Sequence, residues 1–427
     1  MEEQSFKKFK VMAQMFVGQL LKGDFTAAAS RFDDQMKNVF GEDKLKESWL
    51  NLVMEAGSLL QMNPTQTAEA EGYKIVIIRC QFQQVIIDIQ VVFNDQEQIG
   101  GLNFTPTKMD YSPPEYVNES AFHEVDVTVG EGKWALPGTL TLPEGSGPFP
   151  GVVLVHGSGP NDRDETIGPN KTFKDMAWGL ASKGIAVLRY DKRTFTHAKQ
   201  FTPDLVEKLT GKEEAIDDAL LAVQLMRQTE GIDPKQVYLL GHSLGATLAP
   251  RIGQEDPELA GLIIMAGITR SLEDTILDQF TYIYGLADTM AEQQKTELEE
   301  LKEKVARVKS PDLADMSPQD LPLGISAAYW IDLRDHNPAD IVKTLNMPIL
   351  VLQGERDYQV LKTEDFEGWK AALNHKPNAA FKLFPKLNHL FIEGEGNSTP
   401  QEYLIEGHVK EDVVNTIAQW IESIKSS

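Results

Sequence analysis

The sequence predicts an α/β fold: a mostly parallel sheet with helices on both faces, preceded by a small α+β domain. In the second part of the chain, short unbroken apolar runs alternate with helical segments, an alternation typical of parallel sheets. In the first part, a helical period gives way to a strand period. The length of 427 residues exceeds one ordinary core and indicates two domains.

The first domain is expected over residues 1–112. Apolar positions recur at helical spacing up to about Val39, with a break at Gly23, after which Asp24 is placed to cap a second helix. Further elements are expected in order: a helix near 44–54, then strands at 73–82, 85–93 and 99–104.

The second domain is expected over residues 116–427, after a proline-marked linker near 105–115. It should open with an antiparallel pair of strands near 123–129 and 134–142. The remaining strands are predicted at 151–155, 185–190, 237–240, 259–266, 349–352 and 381–384. A helical segment at about 269–346 interrupts the alternation. We interpret it as a cap over the functional site, which in such a sheet is expected at the carboxyl ends of the strands.

A candidate nucleophile lies in the pentapeptide GHSLG at 241–245, directly after an apolar run. This pattern is typical of a sharp turn from a strand into a helix, with Ser243 at the turn. Glycines at 241 and 245 are needed because side chains there would collide with the strained turn. The alternative is a serine in an ordinary glycine-rich turn, so the surrounding motifs have to decide.

Candidate oxyanion donors come from two places. One is the backbone N–H of Leu244, the residue after the candidate nucleophile. The other lies in the loop HGSGP at 156–160, which follows an early buried strand. We expect Ser158 to supply this second N–H, with Gly159 as the alternative.

A candidate acid and base follow two late strands. Asp357 and His389 lie on loops after these strands, and the order serine, acid, histidine distinguishes one hydrolase fold from other serine hydrolases. His389 would take the serine proton, and Asp357 would orient the imidazole. Glu355 is an alternative for the acid.

These motifs resemble those of α/β-hydrolases of the bacterial carboxylesterase and dienelactone-hydrolase-like type. The resemblance is most specific over 156–166 (HGSGPNDRDET) and 184–193 (GIAVLRYDKR). It implies a triad of Ser243, Asp357 and His389, short acyl esters as substrates, and neither a metal nor an organic cofactor. Residues 1 to about 110 resemble an uncharacterised domain that precedes such hydrolases.

Composition restricts the partners. The formal net charge of −23 disfavours nucleic acid and anionic membrane surfaces as partners. It also disfavours strongly anionic substrates, unless a local basic patch, which Arg189, Lys192 and Arg193 could supply, compensates. The single cysteine, Cys80, excludes an intrachain disulfide. We expect a cytoplasmic protein with a small-molecule ester substrate, and a homodimer is left open.

The predicted reaction is ester hydrolysis through an acyl-enzyme. Because one fold serves several chemistries, a serine peptidase or an acyl-thioester hydrolase or acyltransferase on the same triad is the alternative. A non-catalytic scaffold is the further alternative, against which the intact set of three residues argues.

Overall fold

The computed structural model of the protein describes residues 2–56, 59–70, 72–82, 85–107, 111–287 and 289–425. It divides into two compact units, Met1–Tyr111 with Pro400–Glu406, and Ser112–Thr399 with Gly407–Ser427. Residues 108–110 of the predicted linker lie outside the described residues. None of the described helices combines the length and the apolar character needed to cross a bilayer.

The first unit consists of helices followed by an antiparallel meander with strand order β1-β2-β3-β4. Its elements are α1 (Glu2–Leu21), α2 (Phe25–Ala29), α3 (Asp34–Val39), α4 (Glu42–Ala56), β1 (Leu59–Ala70), β2 (Tyr73–Phe82), β3 (Ile86–Phe93) and β4 (Ile99–Pro106). Asp24 caps α2, its side chain accepting a hydrogen bond from the N–H of Ala27 at 3.1 Å. The alternating strands β2 and β3 turn their buried face toward the helices.

Two features of this unit differ from the sequence-based expectation. The predicted second helix ends at Ala29, and a separate helix, α3, starts after Asp33, whose carboxylate caps it. Strand β1 was not expected, because the segment LLQMNPTQTAEA is polar and contains a proline. It lies at the edge of the sheet and, among the described strands, pairs with β2 alone.

The second unit is built on an eight-stranded mixed sheet with the order β14-β13-β12-β11-β7-β10-β6-β5. Its strands are β5 (Phe122–Val129), β6 (Leu136–Pro143), β7 (Phe149–Val155), β10 (Ala186–Tyr190), β11 (Ile232–His242), β12 (Gly261–Met265), β13 (Ile349–Gly354) and β14 (Ala379–Phe384), with a separate short hairpin of β8 (Thr166–Ile167) and β9 (Asn170–Lys171). β6 runs antiparallel to both of its neighbours, β5 and β10. All other neighbouring strands of the sheet are parallel. The predicted α/β fold is therefore confirmed.

Helices cover both faces of this sheet. The helices of the second unit are α5 (Thr172–Ala181), α6 (Arg193–Thr196), α7 (Pro203–Lys208), α8 (Asp217–Gln228), α9 (Leu244–Glu255), α10 (Leu272–Tyr284), α11 (Glu292–Val308), α12 (Ala327–Asp335), α13 (Pro338–Ile341), α14 (Glu367–Leu373) and α15 (Glu411–Lys425), of which α5, α8, α9, α14 and α15 pack on the sheet. Successive side chains of a strand point to opposite faces, so Val153 packs with α8 and α9, whereas Val152 packs with α5 and α15. Because β7, β11, β13 and β14 run in the same direction, their carboxyl ends meet at one edge of the sheet.

Helices α10 to α13 all lie between β12 and β13. They include a small core of their own, with Trp330 at 1% exposure and Leu321 at 0%. We call the segment from β12 to β13 the insertion.

Candidate active site

The turn from β11 into α9 holds Ser243 in a strained backbone conformation, with φ of 52° and ψ of −115°. A Cβ added to Gly241 would lie 2.2 Å from the carbonyl oxygen of Gly245. A Cβ added to Gly245 would lie 2.2 Å from the carbonyl oxygen of Val155. Both positions therefore require glycine, and the tight approach presents Ser243 at the edge of the sheet.

Asp357 and His389 meet on the loops after β13 and β14. The imidazole Nδ1 lies 2.7 Å from Oδ2 of Asp357, and the two residues are only 4–5% exposed. Because a carboxylate only accepts hydrogen bonds, Nδ1 carries the proton of a neutral ring and Nε2 is left as the basic nitrogen. The two loops thus bring Asp357 to one ring nitrogen of His389, and the other ring nitrogen remains away from that carboxylate.

The carboxylate of Asp357 is held on all sides by donors. Its Oδ1 accepts the backbone N–H groups of Gln359 and Val360, at 2.8 and 3.0 Å. Its Oδ2 also accepts Nε2 of Gln353, at 3.0 Å. This arrangement fixes the plane of the carboxylate and therefore the direction from which it contacts His389.

Glu355, the alternative acid, lies elsewhere. Its side chain is about one third exposed and pairs with Lys362. The structure brings Asp357, and not Glu355, to the imidazole of His389.

Ser243 and His389 line the same cavity, which has a volume of about 230 Å³. Ser158 and Leu244 also line it, and the insertion contributes apolar side chains such as Ile276. The four sequence-predicted residues other than Asp357 therefore share one space, and Asp357 supports it from behind His389. We call this space the catalytic cavity.

The backbone N–H groups around the catalytic cavity are not equivalent. The N–H of Leu244 is the first of α9, where helix geometry provides no intrahelical acceptor. The N–H of Gly157 is already bound to Oε1 of Glu165 at 2.7 Å. Asn161 holds the carbonyl of Ser158 at 3.0 Å, which fixes the loop from its other side.

A buried pair that sequence reasoning missed lies beneath the site. Glu165 and His242 are each 2% exposed, and Oε2 of Glu165 lies 2.8 Å from Nδ1 of His242. The other ring nitrogen of His242 lies 3.0 Å from the backbone carbonyl of His389. Together with the bond to Gly157, the pair connects the loop after β7 with the loop that carries His389. In the sequence, Glu165 lies in the segment 156–166 and His242 in the GHSLG pentapeptide, but neither pattern indicates that the two side chains pair.

Both ring nitrogens of His242 face acceptors, so this network needs a second proton on the imidazole or one on Glu165. Burial acts to lower the pKa of His242, but the adjacent Glu165 carboxylate outweighs it and raises that pKa above 6.5. Burial acts to raise the pKa of Glu165, yet the neighbouring His242 lowers it below 4.5. Each shift favours the charged form of its group, as is expected where a buried carboxylate and an imidazole interact as an ion pair.

Glu165→Gln is expected to reduce the free energy of unfolding by about 1–3 kcal/mol, because a charge-assisted hydrogen bond becomes a neutral one. The raised pKa of His242 contributes stability below pH 6.5 that is lost as pH rises through the folded value. The lowered pKa of Glu165 contributes stability above pH 4.5 that is lost as pH falls. The difference in Tm between wild type and variant should therefore be largest between these two values.

Thermal unfolding across this pH range measures the effect. Glu355→Gln is the matched control, since it removes a carboxylate from a partly exposed pair. A difference in Tm between wild type and Glu165→Gln that does not change with pH would contradict the ion pair.

Arg189, Lys192 and Arg193 do not form the basic patch that they could have supplied. Arg189 is 2% exposed and binds Asp164 and Glu124, at 2.9 and 2.8 Å. Lys192 pairs with Glu214 at 2.5 Å, and Arg193 pairs with Asp218. Because all three cations are used inside the protein, they offer no free charge to an anionic substrate.

Comparisons with known proteins show what the chain is similar to. The family described as "Serine aminopeptidase, S33" matches residues 151–321, and the family described as "Protein of unknown function (DUF3887)" matches residues 13–102. The chain is 40% identical to Esterase EstD of Thermotoga maritima over 419 residues, which are 97% of this chain and 96% of that protein.

Two further matches are more distant. The acylamino-acid-releasing enzyme of Rattus norvegicus is 23% identical over 256 residues, covering 58% of this chain and 30% of that protein. A solved esterase of Pyrococcus furiosus is 14% identical, covers 74% of this chain and 95% of its own, and has a TM-score of 0.45. The near full-length match to Esterase EstD is the informative one, and by it the chain belongs to the same α/β-hydrolase family as that esterase.

Proposed function

We propose that the protein is a serine hydrolase that cleaves carboxylic esters through an acyl-enzyme intermediate. The observation that carries this proposal is the 2.7 Å contact between Asp357 and His389, with His389 and Ser243 on one cavity. The kinship with Esterase EstD supports esters as the substrates.

In the first half of the reaction, Oγ of Ser243 attacks the ester carbonyl carbon while Nε2 of His389 takes the hydroxyl proton. The C–O bond to the alcohol then breaks, and His389 returns the proton to the departing oxygen. In the second half, water gives its proton to His389 and attacks the acyl-enzyme. The carboxylic acid leaves, and the proton returns to Ser243. Asp357 stabilises the imidazolium that forms in each half.

The negative charge that develops on the carbonyl oxygen needs fixed donors. We assign them to the backbone N–H groups of Leu244 and Ser158, because both residues line the catalytic cavity and the N–H of Gly157 is used by Glu165. One such donor contributes about 10²–10³ in rate in serine hydrolases. The strained φ of Ser243 directs its Oγ and the following N–H to the same carbonyl.

The insertion acts as a cap in this proposal. Side chains from α10, including Ile276, and Leu323 border the catalytic cavity. Apolar walls exclude water from the reacting groups and strengthen the electrostatic interactions among them. Leu323 has a positive φ of 55° and is 61% exposed, so it marks a strained point at the mouth.

The proposal is tested with a pair of substrates that share one acyl group. We expect p-nitrophenyl acetate to be cleaved with a kcat/KM at least about tenfold higher than p-nitroacetanilide, because the alcohol is the better leaving group. A fluorophosphonate probe should add one covalent group, located by mass spectrometry on Ser243. Faster cleavage of the anilide would favour the peptidase alternative, and a probe on another serine would refute the mechanism.

A further inference from the structure

A second cavity opens beside the catalytic cavity. Its volume is about 480 Å³, and it shares Ser158 and Leu244 with the catalytic cavity. Its walls are mainly apolar and aromatic, from the segment around α7 and from the insertion: Phe201, Val206, Leu209, Leu323, Ile325 and Tyr329. We call it the apolar cavity.

The charged groups at its wall are bound to each other. The hydroxyl of Tyr329 donates to Oε2 of Glu214 at 2.6 Å, and Oε1 of Glu214 pairs with Lys192 at 2.5 Å. Lys192 also donates to the carbonyl of Gly157 at 2.8 Å. A charged ligand would lose hydration there without gaining a free partner, so the cavity suits an uncharged hydrocarbon group.

The mouth of the cavity exposes apolar surface. Val206 is 44% exposed and Leu323 is 61% exposed, and both lie on the lining. Covering such side chains with a hydrocarbon chain is favourable, by roughly fourfold in binding for each methylene that becomes buried. The volume lies in the range of pockets that enclose ligands much larger than an acetyl group.

The position of His389 decides which half of an ester lies here. His389 lines the catalytic cavity, and the apolar cavity is lined by Ser158 and Leu244 without it. The alcohol oxygen has to lie beside His389 to receive its proton. The acyl group, on the other side of the carbonyl carbon, then passes the two oxyanion donors and enters the apolar cavity.

We propose that the apolar cavity is the acyl-binding subsite, and that the preferred substrates are esters of uncharged aliphatic acids of medium length. This rests on the proposed ester hydrolysis and deepens it. The preferred acyl group is thus longer than the short ones that the sequence resemblance implies.

Two isomeric esters test the proposal with the wild-type protein. Methyl hexanoate and pentyl acetate have the same formula, and they differ in which side of the ester carries the chain. We expect kcat/KM for methyl hexanoate to exceed that for pentyl acetate by about tenfold or more. Equal values, or a preference for pentyl acetate, would overturn the acyl assignment while leaving ester hydrolysis intact.

A matched pair of variants tests the cavity itself. Val206→Trp places a large ring at the cavity wall, whereas Leu205→Trp alters the neighbouring residue of α7, which is 38% exposed and outside the lining. Val206→Trp should lower kcat/KM for methyl hexanoate by about tenfold and for methyl acetate by less than about twofold. Leu205→Trp should leave both unchanged.

Tm is measured for both variants to confirm that each is folded. An equal loss on methyl hexanoate and methyl acetate in Val206→Trp, or the same loss in Leu205→Trp, would refute the subsite. Hydrolysis of methyl acetate by Ser243→Ala separates the two proposals. If this variant cleaves methyl acetate as fast as wild type, ester hydrolysis at this site is refuted, and the acyl subsite is refuted with it.

Discussion

Ser243→Ala is expected to lower kcat for p-nitrophenyl acetate by about 10⁴-fold or more, the range found when a triad nucleophile is removed. The reason is that the acyl-enzyme route requires an Oγ, and the remaining oxyanion donors retain only a small part of the catalysis. The fold should be retained, because alanine also has a Cβ and meets the same strain at φ of 52°.

Steady-state kinetics and thermal unfolding together check this prediction. Ser423→Ala is the matched control, since Ser423 is an exposed residue of α15 and bonds locally to the carbonyl of Trp420. Turnover by Ser243→Ala within about tenfold of wild type would show that another group performs the attack.

Asp357→Asn is expected to lower kcat by about 10³–10⁴-fold with little change in KM. The groups around the Asp357 carboxylate all donate hydrogen bonds to it, and an amide in its place brings two further donor hydrogens among them. With its nitrogen toward His389, it forces the proton onto Nε2 and removes the base. With its nitrogen at the Oδ1 position, it leaves the N–H groups of Gln359 and Val360 without an acceptor.

The same argument predicts a loss of stability for Asp357→Asn of about 1–3 kcal/mol, whichever way the amide is oriented. Denaturant unfolding measures it. Asp340→Asn is the control, because Asp340 pairs with Lys343 at the surface of the insertion and should change neither activity nor stability appreciably. Normal turnover in Asp357→Asn would argue for a different acid, and Glu355 would become the next residue to test.

Residues that carry the candidate chemistry could be located from local patterns. The GHSLG pentapeptide gives the turn because glycines at 241 and 245 satisfy a local steric requirement. Asp357 and His389 follow buried strands, and parallel strands bring their carboxyl ends to one edge. The parallel strands β7, β10, β12 and β13 could be predicted because each is a short apolar run that is buried on both faces.

Local sequence patterns could not identify residues whose role depends on a hydrogen bond or ion pair with a residue far away in the chain. Glu165 and His242 are 77 positions apart, and His242 is 147 positions from His389. Arg189, Lys192 and Arg193 are close in sequence and suggested a basic patch, but each is paired with an acid from another element. Charge in a sequence does not show whether a partner neutralises it.

By itself, the sequence determined the alternation of strands and helices, the strained turn at Ser243 and the order of the three candidate catalytic residues, because these depend on local sterics and on periodic burial. The tertiary structure decided which acid meets His389, how the Glu165–His242 pair connects two loops, and that an apolar cavity borders the oxyanion donors. These features depend on side chains from distant segments meeting at a few ångströms, and that meeting is fixed only when the sheet and the insertion have packed.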